Sequence, residues 1–191
     1  MFGAEDMDLF DLIRRLHTTL PTVRKWIDDL LEAYKDQATP IISLGFSRLQ
    51  EVFPSRLLEK AKVVVVTGKL PFPQVSLMGL PELSQMENMP MDGITYKDTF
   101  FINEAYRGAE SLHFHELIHD VQWKRLGVDN FLLAYGVGLI QFGYQNSPLE
   151  QMAYCLQEAF DRGNPATGIV DIIEQRTDAV WRNVAPLFNR A

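Results

Sequence analysis

The sequence predicts a mostly helical α+β fold with one small β-sheet. Several long segments repeat apolar residues with a period near 3.6, which is typical of helices that pack one face on a core. Two short runs, at 62–68 and 94–103, are rich in β-branched and aromatic residues and predict strands. The 191 residues, 47% of them hydrophobic and 23% charged, suffice for one domain with a sizeable core.

The N-terminal portion is predicted to contain three helices. Apolar spacing predicts one helix over 7–19 and a second that starts after a break at Pro21 and is ended by Pro40. A shorter helix near 47–60 is predicted to be interrupted at Pro54, because proline lacks a backbone N–H and cannot continue the helical hydrogen bonds.

A long loop separates the two predicted strands. The first strand, KVVVVTG at 62–68, is closed by a glycine. The next segment, 69–92, holds four of the ten prolines and four of the seven methionines, and loops of this length in compact domains are usually functional or mobile. The methionines either line an adaptable flap over a substrate cleft or fill gaps between the loop and the core. Under the first hypothesis the loop borders a cleft and controls access to it.

The rest of the chain is predicted to be helical after the second strand. That strand, ITYKDTFFIN at 94–103, follows an Asp92–Gly93 turn. Gly127 is predicted to end the first helix of this region, since glycine is common just past a helix C-terminus. Pro186 is predicted to lie beyond the last helix. The predicted helices cover residues 107–126, 129–142, 147–163 and 168–184.

Charge and composition narrow the function classes. The net charge of -7 argues against nucleic acid as a partner, because phosphate binding needs a basic surface. We expect no membrane insertion, since the longest apolar stretch, FLLAYGVGLI at 131–140, is half of the roughly 20 residues that cross a bilayer. The acidic first residues lack the basic start of a secretory signal, so a cytoplasmic location is expected. A single cysteine, Cys155, excludes an internal disulfide.

Residues 113–120, HFHELIHD, contain three of the four histidines and an H-E-x-x-H pattern. On a helix, His115 and His119 lie about 40° apart on one face, so both imidazoles can point at one ion. Glu116 lies about 60° beyond His119, beside the two histidines and next to the expected ion. An apolar arc on the opposite side is expected to anchor this helix to the core. The segment therefore predicts a metal site in a cleft.

Two other residues of this segment lie on a different flank of the helix. His113 is about 140° from the midpoint of His115 and His119, and Asp120 lies near His113. Neither can join the two histidines at one ion on a straight helix. We expect the pair to make a surface contact, or a contact behind the metal ligands.

Two neutral imidazoles favour zinc or another late transition metal. Catalytic zinc takes three protein ligands and leaves one position for water, which loses a proton near neutral pH. Glu116 is placed to accept that proton and to pass it to a leaving amine. Two alternatives remain: histidines that bind no metal, and a metal site without catalysis.

A carboxylate is expected as the third ligand, because no other histidine is nearby in the sequence. The best candidate is Glu150, in SPLE at 147–150 near the start of a predicted helix. The same segment reads as a capping box with Ser147 as N-cap, in which Glu150 would only accept a backbone N–H. Glu158 and Asp161, on the same predicted helix, are fallback ligands.

Residues 93–161 resemble the gluzincin metallopeptidases, the thermolysin-like group, in a minimal-domain form. In that group a strand precedes the HExxH helix and a later helix carries a glutamate ligand. The resemblance implies Zn²⁺ held by His115, His119 and Glu150, with Glu116 as general base. It also implies that the strand at 94–103 pairs with an extended peptide, which gives main-chain affinity without demands on its sequence.

The resemblance divides a single domain, 1–191, into two parts. Residues 1–60 form the helical N-terminal portion, and residues 61–191 form a zincin-like catalytic core with a C-terminal helix.

Met152 departs from related sequences, which often have a second carboxylate at that position. Hydrolysis of an amide passes through a tetrahedral oxyanion, and the sequence assigns no residue to stabilise it. Tyr135, Tyr144 and Tyr154 are weak candidates for that role.

The resemblance implies a zinc metallopeptidase that hydrolyses peptide bonds of a peptide or protein substrate through a zinc-activated water. One alternative is a non-catalytic metal-binding or pseudopeptidase domain that holds a protein partner in its cleft. A second is a structural helical module whose motif is accidental.

Overall fold

A computed structural model describes residues 4–188 and shows a mostly helical α+β chain with a four-stranded sheet. Short 3₁₀ turns lie between several of these elements. The helices are α1 (Ala4–Tyr34), α2 (Ser47–Val52), α3 (Ser55–Lys60), α4 (Ser84–Asn88), α5 (Glu110–Phe142), α6 (Pro148–Asp161) and α7 (Ile169–Phe188). The strands are β1 (Thr39–Pro40), β2 (Lys62–Val66), β3 (Gly93–Tyr96) and β4 (Thr99–Asn103).

The sheet has the order β1-β2-β4-β3 and mixes parallel and antiparallel pairs. Strands β2 and β4 are parallel, so the chain between them crosses over one face of the sheet. Strands β1 and β3 pair antiparallel to their neighbours and form the two edges. The run at 62–68 is confirmed as a strand, whereas β1 was not predicted because two residues are too few to show a period.

The prediction of one strand over 94–103 is wrong, because this segment folds as a hairpin. Tyr96 and Thr99 are opposite each other, and the turn between them contains Lys97 in the left-handed region with φ 58°. The polar Lys97–Asp98 pair interrupts an otherwise β-rich run, and such pairs mark tight turns. The hairpin places β4 inside the sheet and leaves β3 as the strand at its edge.

Helix α1 continues through Pro21, so the predicted break there is wrong. A buried apolar face runs from Leu12 to Ile27 on both sides of the proline, and its burial outweighs the hydrogen bond that proline removes. The predicted interruption at Pro54 is confirmed, since α2 ends just before it and α3 begins just after it. The buried residues of α1 are Leu12, Ile13, Leu16, Leu20, Val23 and Ile27.

Helix α5 contains the HExxH segment and packs against α1, α6, α7 and β3. Every residue over 113–123 is buried, as expected of a helix surrounded by other elements. Gly127 has φ 74° and ψ 171° and divides α5 into two parts at a kink, as the sequence predicted. The helix begins at Glu110 and not at 107 as predicted, since a 3₁₀ turn at Glu104–Tyr106 and three non-helical residues precede it.

Helix α7 extends to Phe188 and includes Pro186, which was predicted to lie beyond its end. Like α1, it packs an apolar stripe on the core, where Ile173 and Val184 are buried. Buried residues from Leu12 to Val184 belong to one apolar cluster. Among residues 4–188, no helix combines the length and the apolar character needed to cross a bilayer.

Candidate metal centre

Three side chains from two helices converge on one point. His115 and His119 lie one turn apart on α5, and Glu150 lies in the first turn of α6. The two Nε2 atoms are 3.1 Å apart, and each lies 3.4 Å from one carboxylate oxygen of Glu150. All three side chains are buried, and one ligand atom from each lies within 4.8 Å of the others. The structure thus brings together the three residues that the sequence predicted as metal ligands.

A chain of hydrogen bonds orients the imidazole of His115. Its Nδ1 lies 3.0 Å from Oε1 of Gln157. The amide nitrogen of Gln157 donates to the hydroxyl of Ser111, which donates in turn to the carboxylate of Asp161, each at 2.9 Å. The amide oxygen of Gln157 therefore faces His115, which donates through Nδ1. Its Nε2 is left free to bind a metal.

Gln122 orients His119 in the same way. Its Oε1 lies 2.8 Å from Nδ1 of His119, and its amide nitrogen donates to the carbonyl of Leu149 at 3.1 Å. Since Leu149 precedes Glu150, this bond also fixes the first turn of α6 against α5. Both histidines thus have the outer partner that metal-binding imidazoles usually have.

The distances among the ligand atoms fit a metal ion. Neutral imidazoles that donate through Nδ1 turn two Nε2 lone pairs toward each other at 3.1 Å, which is repulsive unless a cation lies between them. Zinc with tetrahedral ligands at about 2.0–2.1 Å separates neighbouring ligand atoms by about 3.3 Å. The observed separations are 3.1 and 3.4 Å. Oε2 of Glu150 is buried without a hydrogen-bond partner, as expected of an atom that binds an ion.

The electrostatics of these side chains favour a positive charge at this site. Burial opposes protonation of His119, but the carboxylate of Glu150 outweighs burial and the pKa of His119 is raised to about 9. Burial also opposes ionisation of Glu150, yet His119 and His115 hold the pKa of that carboxyl well below its usual range. The site therefore favours a cation held against an ionised carboxylate.

Glu150 does not act as the capping residue of α6. The side chain of Ser147 makes no capping hydrogen bond, and its buried hydroxyl has no partner. Glu150 points into the protein and is only 2% exposed, and the hydroxyl of Tyr135 donates to its Oε1 at 2.6 Å. The capping-box interpretation is therefore wrong, because tertiary packing turns both side chains toward α5 instead of along their own helix.

Glu116 lies beside the three ligands and does not belong to their group. Its Oε2 accepts a hydrogen bond from the hydroxyl of Thr95 at 2.6 Å, which ties the carboxylate to β3. Burial raises the pKa of Glu116, and the two histidines and Thr95 oppose that rise. A Cβ on Gly93 would lie 2.3 Å from Oε1 of Glu116, so a side chain at residue 93 would displace the carboxylate from its present position.

His113 and Asp120 are both fully buried, so the predicted surface contact between them is wrong. The ring of His113 packs against Phe46 and Phe100, and its Nε2 donates to the carbonyl of Arg107 at 2.9 Å. Burial lowers the pKa of His113 and raises that of Asp120 to about 6, although Lys124 opposes the second shift. The sheet and the segment around Phe46 cover the flank of α5 that the sequence analysis left at the surface.

The two fallback ligands and Met152 all lie away from the three candidate ligands. Glu158 is exposed and pairs with Arg162, and Asp161 accepts from Ser111, so neither fallback ligand is at the centre. Met152 is buried with its sulfur 3.5 Å from the amide nitrogen of Gln122, so the position that departs from the gluzincin pattern does not face the candidate ligands.

The three tyrosines also differ in their places. The hydroxyl of Tyr135 donates a hydrogen bond to Glu150 and so helps to hold that carboxylate in place. The ring of Tyr154 lies 4.7 Å from that of His115 and is 41% exposed. Tyr144 lines the cavity described next, and burial, followed by the charge of Glu150, raises its pKa. Tyr154 and Tyr144 therefore remain the candidates for contact with a substrate oxygen.

An apolar cavity opens directly onto Glu116, His119 and Glu150. Its walls come from α1, β3, the second half of α5 and the loop at 69–92. Met86 and Met91 of that loop line the cavity, whereas Met78 and Met89 pack against the core. The prediction that the loop borders the cleft is confirmed, and control of access remains a prediction. Within the loop the structure has a short 3₁₀ turn and α4, which the sequence analysis did not predict.

Comparisons with known proteins leave the family open. No family model matches the chain, and no curated protein or solved structure matches it either. The likeness to gluzincin peptidases therefore depends on the HExxH pattern and on Glu150, and function is argued from the site.

Sequence reasoning missed the residues that orient the site. Gln157 lies seven residues after Glu150 and Gln122 lies three after His119, so helical spacing places each on the same face as the ligand it follows. That signal was available in the sequence. Thr95 and Gly93 gave no such signal, since their importance depends on how the hairpin packs against α5.

Proposed function

We propose that this protein is a zinc-dependent hydrolase of peptide-type amide bonds. The observation that carries the proposal is a buried group of His115, His119 and Glu150 with a second carboxylate, that of Glu116, beside it and outside it. Bound zinc supplies a Lewis acid and lowers the pKa of a bound water to near neutral. The proposal rests on this geometry and on the resemblance in the motif.

The residues around the ligands suit the proton transfers of amide hydrolysis. The hydroxyl of Thr95 donates to Oε2 of Glu116, and Oε1 of the same carboxylate takes no part in that hydrogen bond. Its pKa is raised by burial, which makes it a better proton acceptor near neutral pH than an exposed carboxylate. Glu116 would take the proton of the attacking water and deliver it to the leaving nitrogen. Tyr154 and Tyr144 would donate to the developing oxyanion.

The edge strand β3 supports an amide substrate in an extended conformation. It runs next to Glu116 at Gly93 and Thr95 and pairs with β4 on one side. Its other side is the edge of the sheet among the described residues. The carbonyl of Thr95 already accepts from the indole of Trp123, so a substrate that adds to this edge gains its main-chain hydrogen bonds at Gly93, beside the catalytic carboxylate.

The test compares two variants with the parent protein after zinc loading. Glu116→Gln should keep the fold and about one zinc per chain, and it should lose hydrolysis of a mixed peptide library by at least about 100-fold, since general bases contribute about 10²–10⁴ in rate. The double variant His115→Ala/His119→Ala should lose both the metal and the activity. Zinc is measured by elemental analysis and hydrolysis by mass spectrometry.

The outcomes separate the alternatives. If the parent binds zinc and cleaves nothing, the cleft serves for binding and not for catalysis. If Glu116→Gln cleaves as fast as the parent, Glu116 is not the base. If the parent binds no transition metal after loading, the metal centre itself is refuted.

A further inference from the structure

The cavity beside the metal centre is long and apolar. Its lining residues on α1 run from Leu16 to Ile27, which corresponds to about 16 Å along the helix axis at 1.5 Å per residue. Opposite α1, the loop at 69–92 and the second half of α5 contribute further apolar walls. The cavity volume is about 120 Å³, close to that of a cavity that holds a small apolar molecule.

The polar side chains along this cavity are already hydrogen bonded inside the protein. The hydroxyl of Thr19 donates to the carbonyl of Arg15 at 2.7 Å, and that of Tyr96 donates to the carbonyl of Pro71 at 2.9 Å. The indole nitrogen of Trp123 donates to the carbonyl of Thr95 at 3.2 Å. These three side chains therefore offer no unpaired donor to a ligand.

A peptide backbone does not suit such a cavity. An extended chain that spans about 16 Å has about five residues, and each carries an N–H and a C=O that need partners. Burying these groups against apolar walls without partners is strongly unfavourable. An aliphatic chain carries no polar group and gains free energy from each methylene it buries.

We infer that the cavity holds the aliphatic chain of an acyl amide whose carbonyl reaches the metal centre. The volume of about 120 Å³, and not the length of the α1 wall, limits the chain to about six to eight carbons. This inference rests on the proposed function for the bond that is cleaved, and the binding of the chain itself does not depend on it. In the reaction the oxygen of water bonds to the acyl carbon and the C–N bond breaks. The products are a medium-chain fatty acid and an amine, which leaves with the proton that Glu116 delivers.

The first measurement is the binding of linear primary amides, from acetamide to dodecanamide, by titration calorimetry. The dissociation constant should fall by about two- to fourfold per added methylene, since a buried methylene contributes about a factor of four at most. The fall should stop near eight carbons, where the cavity is filled. A constant that does not change with chain length would overturn the inference, because an incidental packing void would not bind the chains.

A matched pair of variants on α1 localises the binding. Val23 lines the cavity, and Val23→Phe should weaken octanamide binding at least tenfold while leaving acetamide binding unchanged. Thr22→Phe adds the same ring at the exposed neighbouring position and should bind all amides like the parent. Equal octanamide binding by both variants would overturn the inference. If Val23→Phe does not fold, the chain-length series of the parent still decides the question.

Hydrolysis of N-acyl aminocoumarins separates this inference from the proposed function. Cleavage should be fastest with the hexanoyl and octanoyl compounds. Chain-dependent binding without any cleavage would keep the acyl site and refute the hydrolase. Cleavage of unacylated peptides with no gain from an acyl chain would keep the hydrolase and overturn the acyl site.

Discussion

Gly93 is the position where a single methyl group should disable the site without touching a metal ligand. A Cβ there would lie 2.3 Å from Oε1 of Glu116 and 2.9 Å from its carboxyl carbon. The first distance is about 1.1 Å short of ordinary van der Waals contact, which starts near 3.4 Å. Gly93→Ala therefore forces the carboxylate of Glu116, or strand β3, to move by about 1 Å.

That displacement should lower the rate of catalysis. A misplacement of about 1 Å can lower an enzymatic rate about 100-fold, so we expect kcat to fall by that order in Gly93→Ala. The 2.6 Å bond from Thr95 to Glu116 has to lengthen or break at the same time. Zinc affinity should stay within about threefold of the parent, because the substitution leaves the hydrogen bonds from His115 to Gln157 and from His119 to Gln122 in place. Loss of such bonds typically costs about 10–100-fold in metal affinity.

The assay measures hydrolysis of a peptide or acyl aminocoumarin substrate that the parent cleaves, together with zinc content and thermal unfolding. Gly108→Ala is the matched control, since a Cβ there meets nothing within 4 Å and its backbone is not left-handed. Gly108→Ala should be as active as the parent. Full activity in Gly93→Ala would show that the position of Glu116 against β3 does not matter for catalysis.

Two further predictions concern the metal ligands and their partners. Glu150→Gln should raise the zinc dissociation constant more than 100-fold, as judged by competition with a chelating dye, because the amide carries no charge to offset the ion. Ser147→Ala is its control and should bind zinc like the parent, since the Ser147 hydroxyl makes no hydrogen bond; parent-like zinc binding by Glu150→Gln would exclude Glu150 as a ligand. Gln122→Ala and Gln157→Ala should each weaken zinc binding about 10–100-fold in the same assay, because each removes the acceptor that orients one imidazole. Unchanged affinity in both would show that packing alone holds the rings.

Much of the helical part of the fold was predictable because its signals are local. Proline positions gave the boundary between α2 and α3, and Gly127 gave the division of α5. The same rule failed at Pro21 and Pro186, where helices continue through the proline. In both cases the buried apolar face that outweighs the lost hydrogen bond is made with other helices, and a local rule does not include them.

The sequence by itself determined the spacing of His115, Glu116 and His119, because the geometry of one helix places the two imidazoles together and the carboxylate at their side. It also restricted the third ligand to a short set of carboxylates. The sequence ranked Glu150 first in that set, but only the tertiary structure shows that it reaches the histidines, since the approach of α6 to α5 turns this side chain inward while Glu158 stays exposed. The hairpin that holds Glu116 and the walls of the apolar cavity also depend on contacts between residues far apart in the chain. Such contacts follow from how all the elements pack together, which no local pattern in the sequence specifies.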